Sequence, residues 1–337
     1  MRPHVAPPPA APVEPGPSPA FSVVIPAYQA SAFVARAVAS ALAQTSEPAE
    51  VIVADDGSTD DLEGALAPFR DRVRLVRGPH LGPPAARNLG FRAASGDFVV
   101  NLDADDVYEP ERLEALAELA VARPDLDVLA TDAWIEVGGE RVRRAYSGGW
   151  DFFPADQRLR ILERNFILSM AAVRRSRFLE VGGFDEAIRW ADDWDFWLRL
   201  LLSGSAAGCV DEPLARYIVR EGSISTHRVR VARDFVRTLE KARENPELRE
   251  AERPLLERSI RTRRRELAVL VGQEALLTGA LDARRRSLEV AFGSGFSAPT
   301  RAKALLSAVA PGVARRLLRT RAEKGWIGAG GTRVSRG

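Results

Sequence analysis

Three short acidic clusters interrupt this 337-residue sequence. FVVNLDADDVY, residues 98–108, sets Asp103, Asp105 and Asp106 within four positions after an apolar run. VIVADDGSTD, 51–60, does the same with Asp55 and Asp56, and ADDWDFW, 191–197, carries Asp192, Asp193 and Asp195. Like charges so close repel, so each cluster needs a cation, a helix N-terminus or full solvation. Carboxylates one residue apart at a strand end suit hard divalent cations such as Mg2+ or Mn2+, which favour oxygen ligands and also take phosphate oxygens. Acids also start helices, and Asp106, ahead of VYEPERL, is expected to cap the next one.

The elements that must hold these acids follow from the pattern around them. From Phe21, short β-branched runs alternate with helical ones, the signature of βαβ units around a mostly parallel sheet. FSVVIP, EVIVAD, VRLVRG, DFVVNLDADD and LDVLATDAWIEV are predicted strands. SAFVARAVASALAQ, PPAARNLGFRAAS and PERLEALAELAVARP are predicted helices, the first with Ser31 as N-cap, and ADDWDFWLRLLLSG is a further amphipathic one. The predicted class is α/β with a Rossmann-like, mostly parallel sheet flanked by helices. In such sheets ligands gather at the C-terminal strand ends, where Asp55, Asp56, Asp103, Asp105 and Asp106 fall. A dinucleotide-dependent dehydrogenase is excluded, because no GxGxxG follows the first strand.

Composition divides the chain. Residues 1–227 hold 23 Lys and Arg against 34 Asp and Glu, whereas residues 228–337 hold 25 against 12. The expected organisation is a disordered proline-rich leader over 1–20, an α/β domain over 21–226, a basic helical region over 227–325 and a flexible tail over 326–337. Within the basic region, AVLVGQEALLTGALDARRRSLEVAF is expected to form two short helices around Gly279. A basic C-terminal region suggests an anionic membrane surface as partner, or a merely solvated helix face; nucleic acid is not expected. No apolar run reaches the ~20 residues that span a bilayer, and the single cysteine, Cys209, permits no internal disulfide. The single cysteine fits a reducing cytoplasm, and the basic region adds an expected peripheral attachment to the inner face of the membrane.

Five blocks then occur in order: VVIPAYQASAFVARAVASALAQ, VIVADDGSTDD, GPPAARNLGFRAASGDFVVNLDADD, GGFDEAIRWADDWDFWLRL and REGSIS. Together they resemble the family 2 glycosyltransferases, inverting enzymes of GT-A fold, over about Phe21 to Ser225. The resemblance implies a nucleotide-diphosphate sugar donor, a glycan, lipid-linked or small-molecule acceptor, and a divalent cation, Mg2+ or Mn2+. It places Pro26 and Tyr28 against the nucleotide base, Asp56 in hydrogen bonding to that base, and Arg87 and Asn88 near the nucleotide and its phosphates. Asp105 is similar to the direct metal ligand, with Asp103 beside the ribose and the metal. Asp193 matches the catalytic base, Asp192 an acceptor contact, and Trp190 and Trp194 are candidate acceptor-stacking residues.

Inverting transfer needs a carboxylate opposite the leaving group to take a proton from the acceptor hydroxyl. Asp193, opening a helix some ninety residues beyond the first acids, could present it; a solvated first-turn acid is the structural alternative. Two departures from the family pattern stand out. Asp192 replaces a common glutamate, and YIVREGSIS lacks the family's YR-x-H, leaving Ile218 and Arg220 in its place. Arg220 can bind a diphosphate through its fork but cannot ligate a metal. His227 is near that place but out of register and reads as an ordinary exposed histidine, while His4 and His80 have no constellation around them. The alternatives are a polyprenyl-phosphate glycosyl synthase of this fold, which would not need Asp193, and a non-catalytic scaffold binding membrane or nucleic acid.

Overall fold

A computed structural model describes residues 18–148, 150–220 and 227–323. The expected leader, apart from residues 18–20, the expected tail and the EGSIS part of the last block lie outside the described residues. In chain order the elements are β1 (Phe21–Ala27), α1 (Val34–Leu42), β2 (Glu50–Asp55), α2 (Leu62–Leu66), β3 (Arg74–Arg77), α3 (Pro83–Ala93), β4 (Phe98–Asn101), β5 (Val107–Tyr108), α4 (Arg112–Ala122), β6 (Val128–Val137) and β7 (Glu140–Arg144). There follow α5 (Gln157–Glu163), β8 (Ala172–Arg174), α6 (Arg175–Glu180), α7 (Asp192–Leu202), β9 (Ala207–Val219), α8 (Arg228–Ala242), α9 (Arg253–Thr278), α10 (Ala283–Phe292), α11 (Ala298–Val309) and α12 (Pro311–Glu323).

The strands form one mixed sheet in the order β3-β2-β1-β4-β8-β6-β9-β5, with β7 on β6. Its first half is parallel, β1 pairing with β2 and β4, and β2 with β3. The long β6–β9 ladder is parallel too, whereas the short pairings of β8, β7 and β5 are antiparallel. Both faces of this sheet are covered, which explains why its central strands read as continuous apolar runs. Period-two alternation divides them: Val23 and Ile25 of β1 join α1, α2 and α4 on one face, while Val24 meets α3, α5, α6 and α7 on the other. Gly90 lets α3 lie directly on β1, since a Cβ there would fall 2.3 Å from Val24 Cγ1.

Several local expectations are corrected. Ser31 does not cap α1, which starts three residues later without a side-chain cap; instead its backbone N–H donates to Asp60. Asp106 caps no helix. The chain after it enters β5, and α4 begins only at Arg112 with Glu111 as N-cap. The first of the two helices around Gly279 is not short: α9 runs 26 residues and ends at Gly279, whose φ of 74° suits glycine. The C-terminal helices are fastened to the α/β body, because Leu239 of α8 and Leu256 and Ile260 of α9 share the apolar cluster of Trp194 and Phe196. No helix among the described residues is long and apolar enough to cross a membrane.

Candidate active site

At the C-terminal end of β1, Pro26 is half-buried and Tyr28 is exposed. His80, from the loop between β3 and α3, stacks on Tyr28 with ring centroids 4.0 Å apart and planes 18° from parallel. Its Nδ1 lies 3.1 Å from Asp56 Oδ2. Asp56, buried at the end of β2, also accepts hydrogen bonds from Leu81 N at 2.9 Å and Gly82 N at 2.8 Å. Thus Asp56 fixes the loop that carries His80, a residue for which the sequence offered no constellation. Asp55 shapes the adjoining turn by accepting from Ser58 N and Arg77 Nε.

The second cluster occupies the loop after β4. Asp103 Oδ1 accepts from Asn101 Nδ2 at 3.0 Å and from Arg87 Nη2 at 2.9 Å. Asp105 Oδ2 accepts from Arg220 Nε at 2.7 Å, and that guanidinium also lies 3.7 Å above the Phe33 ring. Burial and the neighbouring Asp103 raise the Asp105 carboxyl above the ordinary carboxylate range. Asp106 points into the protein, where Oδ1 accepts from Ile218 N at 2.8 Å and Oδ2 is buried without a hydrogen-bond partner. Burial, then Asp105 and Asp103, push its pKa well up, and the Oδ1 contact with Ile218 N ties β9 to this loop.

The third cluster opens α7. Asp192 is buried and bound by Arg87 Nη1, so the two nitrogens of one guanidinium hold Asp192 and Asp103 together. Burial works against the Arg87 charge, but the two carboxylates outweigh it and hold its pKa above the ordinary value. Asp193 is half-buried, with Oδ2 accepting from Asn165 Nδ2 at 2.9 Å and Oδ1 from Trp194 N at 2.7 Å. Burial and the adjacent Asp192 raise its pKa to about 7. Asn165 is a second residue that the sequence did not reveal. Its Oδ1 accepts from Ile167 N, which turns its amide nitrogen toward Asp193. Asp195 is a buried support, paired with Arg199 and with Lys241 of α8.

The remaining expected site residues fare differently. Asn88 is engaged by the turn at 183–186: it donates to Phe184 O and Glu186 Oε1 and accepts from Phe184 N. Trp194 is not available for stacking on an acceptor, because it is fully buried, donates to Ile161 O at 2.8 Å and meets Phe235 edge to face. Trp190 is half-buried, edge-on to His227 at 5.1 Å and beneath Arg230 at 5.3 Å. The helical spacing of Trp194 and Trp197 already placed them on one face, and both are core. Among the described residues, no three His, Cys, Asp or Glu side chains group closely enough to hold a metal by themselves.

With this geometry in view, residues 22–182 match the sequence family described as "Glycosyl transferase family 2". The succinoglycan biosynthesis protein ExoO of Rhizobium meliloti is 35% identical over 228 residues, 61% of this chain and 63% of that one. The chain therefore spans less than two thirds of that relative's length. TarS 1-349 of S. aureus, solved in complex with UDP-GlcNAc, superimposes with a TM-score of 0.59 at 18% identity, covering 94% of this chain and 99% of that one. The mannosyltransferase PcManGT of Pyrobaculum calidifontis, in complex with GDP-Man and Mn2+, gives a TM-score of 0.57 at 21% identity over 94% of this chain and 83% of that one. Both establish the fold of this chain as GT-A.

Proposed function

Residues 22–182 belong to glycosyl transferase family 2, and on that premise we propose that the chain transfers a sugar, with inversion, from a nucleotide-diphosphate sugar to an acceptor hydroxyl. The observation that carries this reading is the Arg87 bridge. It brings Asp103, from the donor side of the sheet, against Asp192, whose neighbour Asp193 is the proposed base. Asp193 takes the hydroxyl proton as the acceptor oxygen bonds to the anomeric carbon and the bond from that carbon to the diphosphate breaks. A base with a pKa near 7 is matched to neutral pH, and Asn165 fixes the oxygen that receives the proton. Tyr28, with Pro26, offers a flat face for the nucleotide base, and Arg220 offers its fork to the diphosphate oxygens.

The donor set fits a hard divalent cation. Asp105 and Asp103, paired here with Arg220 and Arg87, present oxygen atoms only, and they would hold such an ion together with the donor diphosphate. Mg2+ or Mn2+ held there would neutralise charge on the departing diphosphate. The acceptor we propose is a glycan under construction, as in the pathway for which ExoO is named. Asp193→Asn tests the reading: turnover should fall by about 10²- to 10⁴-fold while donor-nucleotide binding is retained. Unchanged turnover would remove Asp193 as base and favour an acceptor that is already anionic, such as a lipid phosphate.

A further inference from the structure

Helices α11 and α12 pack on α9 and α10, yet they turn their larger apolar side chains outward. On α11, Ala302, Leu305, Leu306 and Val309 recur at i, i+3, i+4 and i+7, the spacing that normally faces a core. Here that stripe is exposed, with Leu305 43%, Leu306 40% and Val309 73% accessible. Small residues face inward instead: Ala308 of α11 and Ala314 of α12 are buried. The stripe continues on α12, where Val313 and Leu317, four apart, are 56% and 53% accessible. The sequence that carries it is basic up to Glu323, the last residue of α12. Residues 290–322 contain no Asp or Glu but six Lys and Arg, of which Arg301, Lys303 and Arg316 are exposed.

We propose that this face docks on an anionic lipid bilayer, with Leu305, Leu306, Val309, Val313 and Leu317 entering the headgroup boundary while the basic side chains meet lipid phosphates. An apolar stripe flanked in sequence by basic residues is what in-plane attachment requires, and Arg and Lys can keep their charged ends at headgroup level while their stems cover apolar surface. A second copy of the chain is a poorer occupant, since a twofold contact would set the basic side chains of these helices against their own copies. The consequence for the proposed reaction is geometric: an enzyme held this way meets acceptors that are themselves lipid-linked. The docking inference does not depend on the transferase reading, and its failure would leave that reading intact.

Co-sedimentation of the full chain with vesicles tests it. Wild-type protein should bind phosphatidylcholine vesicles containing phosphatidylglycerol at least about tenfold better than phosphatidylcholine alone, and salt should weaken that binding. The variant L305S/L306S/V309S should lose roughly tenfold or more of it, with its unfolding temperature and its stabilisation by UDP or GDP unchanged. Because these side chains are exposed, the variant is expected to fold. Charge reversal by Lys303→Glu should weaken binding further. Equal binding by wild type and the stripe variant, or no preference for anionic lipid, would overturn the proposal. So would a wild-type dimer that the variant abolishes without any vesicle binding, which would assign the stripe to a second copy.

Discussion

Arg220 Nε donates to Asp105 Oδ2 at 2.7 Å, joining the end of β9 to the acidic loop after β4 across 115 positions of sequence. Both side chains are partly exposed, so as a surface ion pair the contact adds little stability. Its effect is positional, because the guanidinium is held over Phe33 beside the acids proposed to face a diphosphate. Arg220→Ala should therefore weaken UDP or GDP binding about tenfold, measured by titration calorimetry, with little change in unfolding temperature. Arg220→Lys should recover only part of the loss, since an ammonium lacks the fork. Wild-type affinity in the alanine variant would remove Arg220 from the phosphate site.

Asp193 gives a pH prediction with a definite sign. As the proposed base, Asp193 must be ionised to act, so kcat/KM should rise about tenfold per pH unit below about pH 7 and level off above it. The same shift bears on stability. In the unfolded chain this carboxyl returns to its ordinary value near 3.8, so between there and about 7 the folded state binds the extra proton. Folding is therefore opposed by this group as pH rises through that window, and Asp193→Asn should gain in unfolding temperature relative to wild type from pH 5 to pH 8. A difference between variant and wild type that does not change with pH would contradict the raised pKa.

The central βαβ order was legible because buried parallel strands write themselves as apolar runs and the helices between them keep a clean 3.6 period. Asp106 shows where that legibility stopped. Beside PERL it has the look of a cap, but β5 is only two residues long and exists through its pairing with β9, which delivers Ile218 N to the Asp106 carboxylate from a hundred residues away. His80 and Asn165 were missed for a related reason. Each lies in an irregular loop, and only the fold brings one to Tyr28 and the other to Asp193. Arg87 was visible as part of AARN, yet its two-sided grip on Asp103 and Asp192 depends on how α7 packs against the sheet, which no local pattern encodes.

Trp190 and Trp194, on either side of residues 191–193, separate stability from acceptor contact. Trp194 is fully buried, hydrogen-bonded to Ile161 O and packed on Phe235, so Trp194→Ala should cost about 3–5 kcal/mol by denaturant unfolding. Trp190 is half-buried at the edge of α8, and Trp190→Ala should cost about 1 kcal/mol or less. If Trp190 also stacks on the acceptor, its alanine variant should raise acceptor KM with donor affinity unchanged. An unaltered acceptor KM would leave Trp190 with packing alone.

His80 lies where the proposed reading puts the nucleotide base. Its imidazole covers one face of Tyr28 at 4.0 Å, so a base that stacks on that face must first displace it. Aromatic pairs of this kind contribute about 0.5–1.5 kcal/mol beyond their buried area. His80→Ala removes that competition, and Asp56 keeps its place because Leu81 N and Gly82 N still donate to it. UDP or GDP should then bind about two- to tenfold more tightly to the variant in titration calorimetry, whichever nucleotide the wild type accepts. Weaker binding would mean that the imidazole stays and closes over the base as a second stacking surface, whereas unchanged binding would place the base elsewhere than on this face of Tyr28.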